Sequence, residues 1–319
     1  MGSLWMFFKS HPPTRHHTPL AEVGISGVWS CHVRSSFGIQ MTNSTLASPP
    51  TYLGYGIRLR SEYLQEILQH KPDLDFIEVI TENYLVGDAG ERREIEQLRQ
   101  HYPLVMHGLS LGIGSPWPLD SDYLQRMKSM TERLDPAWIS DHLCWKGADD
   151  LQGSLLPLPY SEDTLEHVVS RIQQVQELLG RQILLENVPG EHSHTQEIPE
   201  VEFIREVAER SDSLILLDLG NLLSSSLRQG FDAADYIGSL PSLRIRQVHL
   251  PDISVPPSKE RGGGQQIIDP VWQLYSQILQ QTGPVSTLIE RVDTIPTLSG
   301  MISEIESVRN AVKQLFPEP

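Results

Sequence analysis

A short apolar run closed by a side chain able to bind a metal recurs four times in the second half of the chain. Leu184 and Leu185 lead into Glu186, Leu216 and Leu217 into Asp218, Val248 into His249, and Leu288 and Ile289 into Glu290. The four polar residues stand 32, 31 and 41 residues apart. Each interval accommodates one strand, one loop and one helix. Strands produced in that series lie parallel and present their C-terminal ends at one edge of one sheet. Glu186, Asp218, His249 and Glu290 are therefore expected to meet there as the floor of a metal site.

The same alternation runs back to the middle of the first hundred residues. Segments 52–59, 75–80, 103–107, 137–142, 182–188, 214–219, 245–250 and 286–292 are short, rich in Ile, Leu and Val, and bounded by Gly, Pro, Asp or Asn. Amphipathic helical patterns lie between them. Segment 61–70 carries Leu64, Ile67 and Leu68 on one face, and 161–179 starts with Ser161 ahead of two acids. Segments 199–209, 233–240 and 298–315 behave similarly, and 270–279 opens with Pro270. Apolar strands buried on both faces and separated by such helices form a parallel sheet. Eight units predict an α/β TIM (β/α)8 barrel, which takes about 250 residues as one domain. The barrel is assigned to residues 51–319. No glycine-rich dinucleotide fingerprint follows the first strand, and Gly262 to Gly264 lack the lysine of a phosphate loop.

Residues 1–50 are different in kind. Lys9, Arg15 and Arg34 face a single acid, Glu22, in a stretch rich in Ser, Thr, Pro and His. They are expected to be a disordered extension or upstream sequence read from an early start, with Met41 as the initiator. The whole chain has a net charge of −16, which argues against nucleic acid and anionic membrane surfaces as partners. No apolar run reaches the roughly 18 residues of a membrane span. Cys31 and Cys144 form neither a disulfide framework nor a zinc pattern, so a reducing, cytoplasmic setting is expected.

Barrel enzymes place their chemistry at the C-terminal ends of the strands. Read in order, those ends supply Glu82 and Asn83, His107, Asp141 and His142, and Glu186 and Asn187. Asp218 with Asn221, His249 with Asp252, and Glu290 complete the series. A single strand-end acid is usually a helix cap or an ion-pair partner. Six acids and imidazoles in one layer are harder to dismiss, because converging carboxylates repel one another unless a cation or proton sits between them. Mixed imidazole and carboxylate donors suit Fe, Mn, Zn or Co better than Ca or Mg. Ser110 lacks the flanking glycines of a nucleophile elbow. His192 and His194 read as a solvated loop, Ser224 to Ser226 as a loop at the barrel mouth, and the acids of 303–306 as an exposed helix face.

At these residues the chain resembles the multinuclear non-heme iron-dependent oxidative enzymes. The resemblance is carried by Gly56 to Leu59, Glu78 to Tyr84, His107 to Gly112, and Ser140 to Leu143 with Trp145. It continues through Leu155 to Tyr160, Leu185 to Asn187, Asp218 with Asn221, Val248 to Leu250, Asp269 to Trp272 and Leu288 to Glu290. It implies a xylose-isomerase-like TIM barrel with two or three irons at the strand ends. It also implies O₂-dependent modification of Cys or Asp/Asn side chains in ribosomally made peptides, often presented by a partner protein. Carried over by position, the metal ligands are His107, His142, Glu186, Asp218, His249 and Glu290. Of these, Glu186, Asp218 and Glu290 are the expected catalytic carboxylates, with Glu82, Asn83, Asp141, Asn187, Asn221 and Asp252 as supporting positions.

The chain departs from that pattern after its sixth strand. Leu227, Ile253, Arg261 and Gly263 stand at or near places where the family carries His or Asp, and Arg291 and Val292 replace a Trp-Asp pair. Asp252 is the one available substitute. One or two irons are therefore expected instead of three. The Glu, Asp, His, Glu set also resembles that of divalent-metal sugar isomerases and epimerases, in which two carboxylates move a proton on and off carbon. A degenerate chain that binds a peptide without turnover is the third reading.

Overall fold

The structure is a computed structural model, and it describes residues 52–146, 155–190, 196–251, 269–291 and 295–316. Two units can be separated, Met1–Ser44 and Thr45–Pro319. The first lies outside the described residues, and so do the expectations for residues 1–50.

Eight strands follow one another in the chain: β1 (Tyr55–Arg58), β2 (Phe76–Ile80), β3 (Leu104–Gly108), β4 (Ile139–His142), β5 (Leu184–Glu186), β6 (Leu214–Asp218), β7 (Ile245–Leu250) and β8 (Ser286–Ile289). All neighbours pair in parallel, and β8 pairs with β1, so the sheet closes in chain order. The TIM barrel expected from the sequence is present. Around it lie α1 (Ser61–His70), α2 (Thr81–Val86), α3 (Ala89–Leu98), α4 (Ser121–Leu134), α5 (Glu162–Leu179), α6 (Glu200–Ser211), α7 (Leu219–Gln229), α8 (Ala233–Ser239), α9 (Pro270–Thr282) and α10 (Leu298–Leu315). Among the described residues no helix is long and apolar enough to cross a membrane.

Side-chain caps set several helix starts. Asp120 accepts from the Asp122 and Tyr123 amides, Asp232 from those of Ala234 and Asp235, and Ser161 from that of Thr164. Asp88 and Glu91 form a reciprocal capping box on α3. Ser224 to Ser226 are not loop residues. They lie inside α7, where Ser225 is buried, because Asp218 caps that helix directly from the end of β6. The acids of 303–306 also divide: Glu306 is exposed, but Glu304 is held by the Arg291 guanidinium.

Alternate residues along each strand face two different environments. Ile77, Val79, Met106, Leu185, Leu217 and Val248 join one large core together with the helices. Phe76, Val105, Trp138, Leu184, Leu214, Leu216 and Leu288 form a separate cluster, which fills the barrel lumen. Gly56 belongs to that layer as well, and a Cβ there would lie 2.6 Å from the Phe76 ring. Trp138 is fully buried, and its indole N–H donates to Gln247 Oε1 at 2.6 Å, linking β7 to the opposite wall. Trp138→Ala should destabilise the protein by about 3–5 kcal/mol, because it leaves a cavity and an amide oxygen without its donor. Urea unfolding measures that loss, and a cost below about 1 kcal/mol would contradict the packed-lumen description.

Candidate metal centre

One side-chain step beyond the apolar lumen layer, the barrel interior turns polar. Arg58, Glu78, His107, Ser140, Glu186, Asp218, His249 and Glu290 each stand two residues after a lumen position. Strand register brings neighbours together, pairing Arg58 with Glu78, His142 with Glu186 and Asp218 with His249. Glu290 follows β8 directly, its amide donating to Leu250 O at 2.8 Å.

Six side chains predicted as ligands converge in two groups that share one member. His107, His142 and Glu186 form one; Glu186, Asp218, His249 and Glu290 form the other. In the first, Glu186 Oε2 lies 3.3 Å from both His107 Nε2 and His142 Nε2. In the second, His249 Nδ1 lies 3.6 Å from Glu186 Oε1, 4.0 Å from Asp218 Oδ2 and 3.0 Å from Glu290 Oε2. Each oxygen of Glu186 thus faces a different group. Metal–ligand bonds of about 2.0–2.3 Å place donors on a common ion roughly 3–4 Å apart, and these separations fall in that range.

Three of the donor atoms also lack a hydrogen bond. Glu186 Oε2, His107 Nε2 and His249 Nδ1 are buried without a hydrogen-bond partner. Ser140 explains the state of His107: its hydroxyl donates to Met106 O at 3.3 Å and faces His107 Nδ1 at 2.9 Å. The ring therefore donates from Nδ1 and keeps a lone pair on Nε2. Buried polar atoms are rarely left unpaired, and several aimed at one point fit a cation.

Charge makes the same point. Burial pushes the Asp218 carboxyl up to about 7, and the Glu186 charge adds to the rise. Burial lowers the His107 imidazole to about 4, despite the opposing pull of Glu186. For Glu186 and Glu78, burial acts upward but the surrounding imidazoles outweigh it, holding both below the ordinary carboxylate value. Burial acts against protonation of His249, yet Glu78 and Glu186 outweigh it and raise the ring well above its usual value. Without a metal the site must share protons among its acids and imidazoles, and a divalent ion would take their place.

Supporting positions fall in two places. Asn187 and Asn221 hold Asp218: the Asp218 amide donates to Asn187 Oδ1 at 2.8 Å, and the Asn221 amide donates to Asp218 Oδ1 at 2.5 Å. That leaves Asp218 Oδ2 facing the cluster. Glu82 and Asp141 instead serve the outer side of β3 and β4. Glu82 Oε1 accepts from Tyr123 and from the Leu109 amide, and Asp141 accepts from the Leu111 and His142 amides. Gly108 makes room for them, since a Cβ there would lie 2.3 Å from Asp141 Oδ2. Asn83 is exposed on α2. Ser110 accepts from Lys146 Nζ at 3.2 Å. Asp252, Ile253, Arg261, Gly263, His192 and His194 lie outside the described residues, and Leu227 is exposed on α7.

Burial, followed by the Glu82 charge, lifts the Asp141 carboxyl from 3.8 to about 8. The folded chain then binds a proton that the unfolded chain has released, so this group costs stability as pH rises between those values. Relative to Asp141→Asn, the natural protein should lose up to about 1.4 kcal/mol per pH unit from pH 4 to 8 and level off above. Urea unfolding across that range checks it; a difference independent of pH would contradict the neutral carboxyl.

Three residues of the site were not expected. Glu78, Arg58 and Gln247 surround the outer edge of His249, and Glu78 and Gln247 are fully buried. Glu78 had a visible signal, a lone acid between Ile77 and Val79 in an otherwise apolar strand.

Residues 54–313 match the family described as RiPP precursor modification enzyme MbnB/TglH/ChrH. The chain belongs to this family. It is the family of the sequence resemblance, and its match spans every strand of the barrel. A UPF0276 protein of Anaeromyxobacter sp. (strain Fw109-5) is 42% identical over 260 residues, covering 79% of this chain and 90% of the relative. Solved barrels are similar in fold alone. A D-allulose 3-epimerase from Methylomonas sp. has a TM-score of 0.54 at 16% identity, over 85% of this chain and 100% of that one. A xylose isomerase domain protein from Alicyclobacillus acidocaldarius has a TM-score of 0.52 at 15% identity, over 84% and 98%. The chain is thus a TIM barrel of an enzyme family, with two linked candidate metal clusters.

Proposed function

We propose that the protein is a non-heme iron oxidoreductase that uses O₂ to modify a side chain of a ribosomally made peptide. The observation that carries this reading is the division of Glu186, with Oε2 toward His107 and His142 and Oε1 toward His249. That arrangement supports two ions joined by one carboxylate, with His107 and His142 on one and Asp218, His249 and Glu290 on the other. The donor set suits iron, with Mn, Zn or Co as alternatives. Bound iron would supply the one-electron and O₂ chemistry that no side chain here provides. Glu186, Asp218 and Glu290 would balance its charge, and the two imidazoles of the first group would leave open positions for O₂ and substrate. The family supports a peptide as substrate, and we propose that a partner protein presents it, in the cytoplasm.

Sugar epimerisation fits less well. That chemistry needs carboxylates free to move a proton, yet Glu290 Oε1 is 2.5 Å from an Arg58 nitrogen and both oxygens of Glu186 face imidazoles. Peptide binding without turnover leaves the orphaned donors unexplained.

The test is anaerobic purification, elemental analysis and Mössbauer spectra, followed by O₂ uptake on mixing ferrous protein with Cys-, Asp- and Asn-containing peptides. Uptake coupled to a peptide mass change is expected. Turnover of a ketose with Mn or Co and no O₂ would select the epimerase instead, and protein free of transition metal would overturn the proposal.

A further inference from the structure

We infer that Glu78, held between Arg58 and Gln247, is a positioning residue that fixes His249 in the tautomer whose Nδ1 lone pair faces the metal cluster. The inference rests on the metal reading above and adds a residue that reading does not use.

The argument starts at Trp138. An indole N–H only donates, so the Gln247 atom 2.6 Å from it is the amide oxygen. The Gln247 amide nitrogen must then face the other way; it donates to Glu78 Oε2 at 2.9 Å, and its 2.9 Å approach to His249 Nε2 is that of two donors sharing this one carboxylate oxygen. His249 Nε2 is also 3.1 Å from Glu78 Oε2. With a lone pair on Nε2, the ring would press that lone pair against a carboxylate. With a proton there, the ring donates to Glu78. Nδ1 faces acids as well, Glu290 Oε2 at 3.0 Å, so a proton leaves it only when a cation takes its place; Nε2 then carries the ring proton, and Glu78 accepts it and holds the ring with Nδ1 toward Glu290, Glu186 and Asp218.

Arg58 holds the arrangement. Its Nε lies 3.2 Å from Glu78 Oε1, and a terminal nitrogen lies 2.5 Å from Glu290 Oε1. One guanidinium thus turns the second oxygen of each acid inward, that of Glu78 to His249 Nε2 and that of Glu290 to His249 Nδ1. A fully buried carboxylate is costly, and its placement behind a ligand imidazole is the arrangement that orients metal-bound histidines.

The sharpest variant is Glu78→Gln. It keeps the size of the side chain but has one acceptor oxygen where Glu78 offers two, one to Arg58 and one to Gln247 and His249. With that oxygen toward Arg58, the new NH₂ faces His249 Nε2 and no longer accepts its proton, so the ring loses the partner that holds Nδ1 toward the cluster. Zinc(II), as a diamagnetic probe, is titrated into metal-free full-length protein against a competing chelator. We expect binding at the His249 cluster to weaken about 10- to 100-fold, with binding at His107 and His142 retained. A residue that served only packing would be replaced by Gln without loss, so wild-type affinity in Glu78→Gln overturns the inference. A second measurement needs no variant at Glu78. In zinc-loaded wild type, imidazole ¹⁵N spectra, assigned from the signals lost in His249→Ala, should show metal on Nδ1 and a proton on Nε2. Metal on Nε2 overturns the inference and leaves the metal reading standing. Wild type that binds no zinc and no iron overturns both.

Discussion

Glu186→Ala should empty both clusters at once. Glu186 is the one side chain common to the two groups, and it gives a different oxygen to each. Removing it leaves His107 and His142 as a bare pair and leaves the second group without one of its three acids. We expect affinity for both ions to fall at least about 100-fold, equivalent to about 2.7 kcal/mol each. Glu186→Gln refines the result. An amide offers one oxygen, so that variant should keep one ion at most, in the group the oxygen faces. Elemental analysis of anaerobically purified protein measures both. Iron content equal to wild type in Glu186→Ala would mean that this carboxylate only pairs with imidazoles.

The parts of this site that were legible in the sequence share a physical reason. A ligand at a strand end interrupts an apolar run at its boundary, where periodicity changes, and Glu186, Asp218, His249 and Glu290 all stand at such breaks. All eight strands could be read for the same reason, since each is a short apolar run set off by turn residues. The short α2 and the α7 that carries Ser224 to Ser226 were harder. Both begin directly at a strand end, with no loop to announce them, and α7 uses the expected ligand Asp218 as its cap. Glu82 and Asp141 read as supporting positions of the site because they stand at the strand ends with the ligands. The pleat sends Asp141 to the opposite face of the sheet, and Glu82, on α2, meets Tyr123 on that side. Glu78, Arg58 and Gln247 are the converse case. Glu78 and Gln247 act through contacts across the lumen between β2 and β7, and Arg58, on β1, through Glu78 and Glu290; no local pattern records such partners on other strands.

Metal content should reach two ions per chain and not three. The count follows from oxygens already committed. A third ion beside the second group would need the free oxygen of a carboxylate that already serves that group. Asp218 Oδ1 accepts from the Asn221 amide as the cap of α7. Glu290 Oε1 is held by Arg58. Glu186 has both oxygens facing imidazoles. The sequence offers little in compensation at the places where the family pattern is lost, since Ile253 and Gly263 carry no donor side chain and Asp252 beside Ile253 is the substitute expected there. The two filled positions should also separate by mutation. His107→Ala should remove one ion and leave the Asp218, His249 and Glu290 group loaded through Glu186 Oε1, whereas His249→Ala should do the reverse. Iron analysis and Mössbauer spectra of the two variants should therefore show one ion each, in different environments. Three tightly bound irons in the wild type, or loss of both from His107→Ala, would contradict this division of the site.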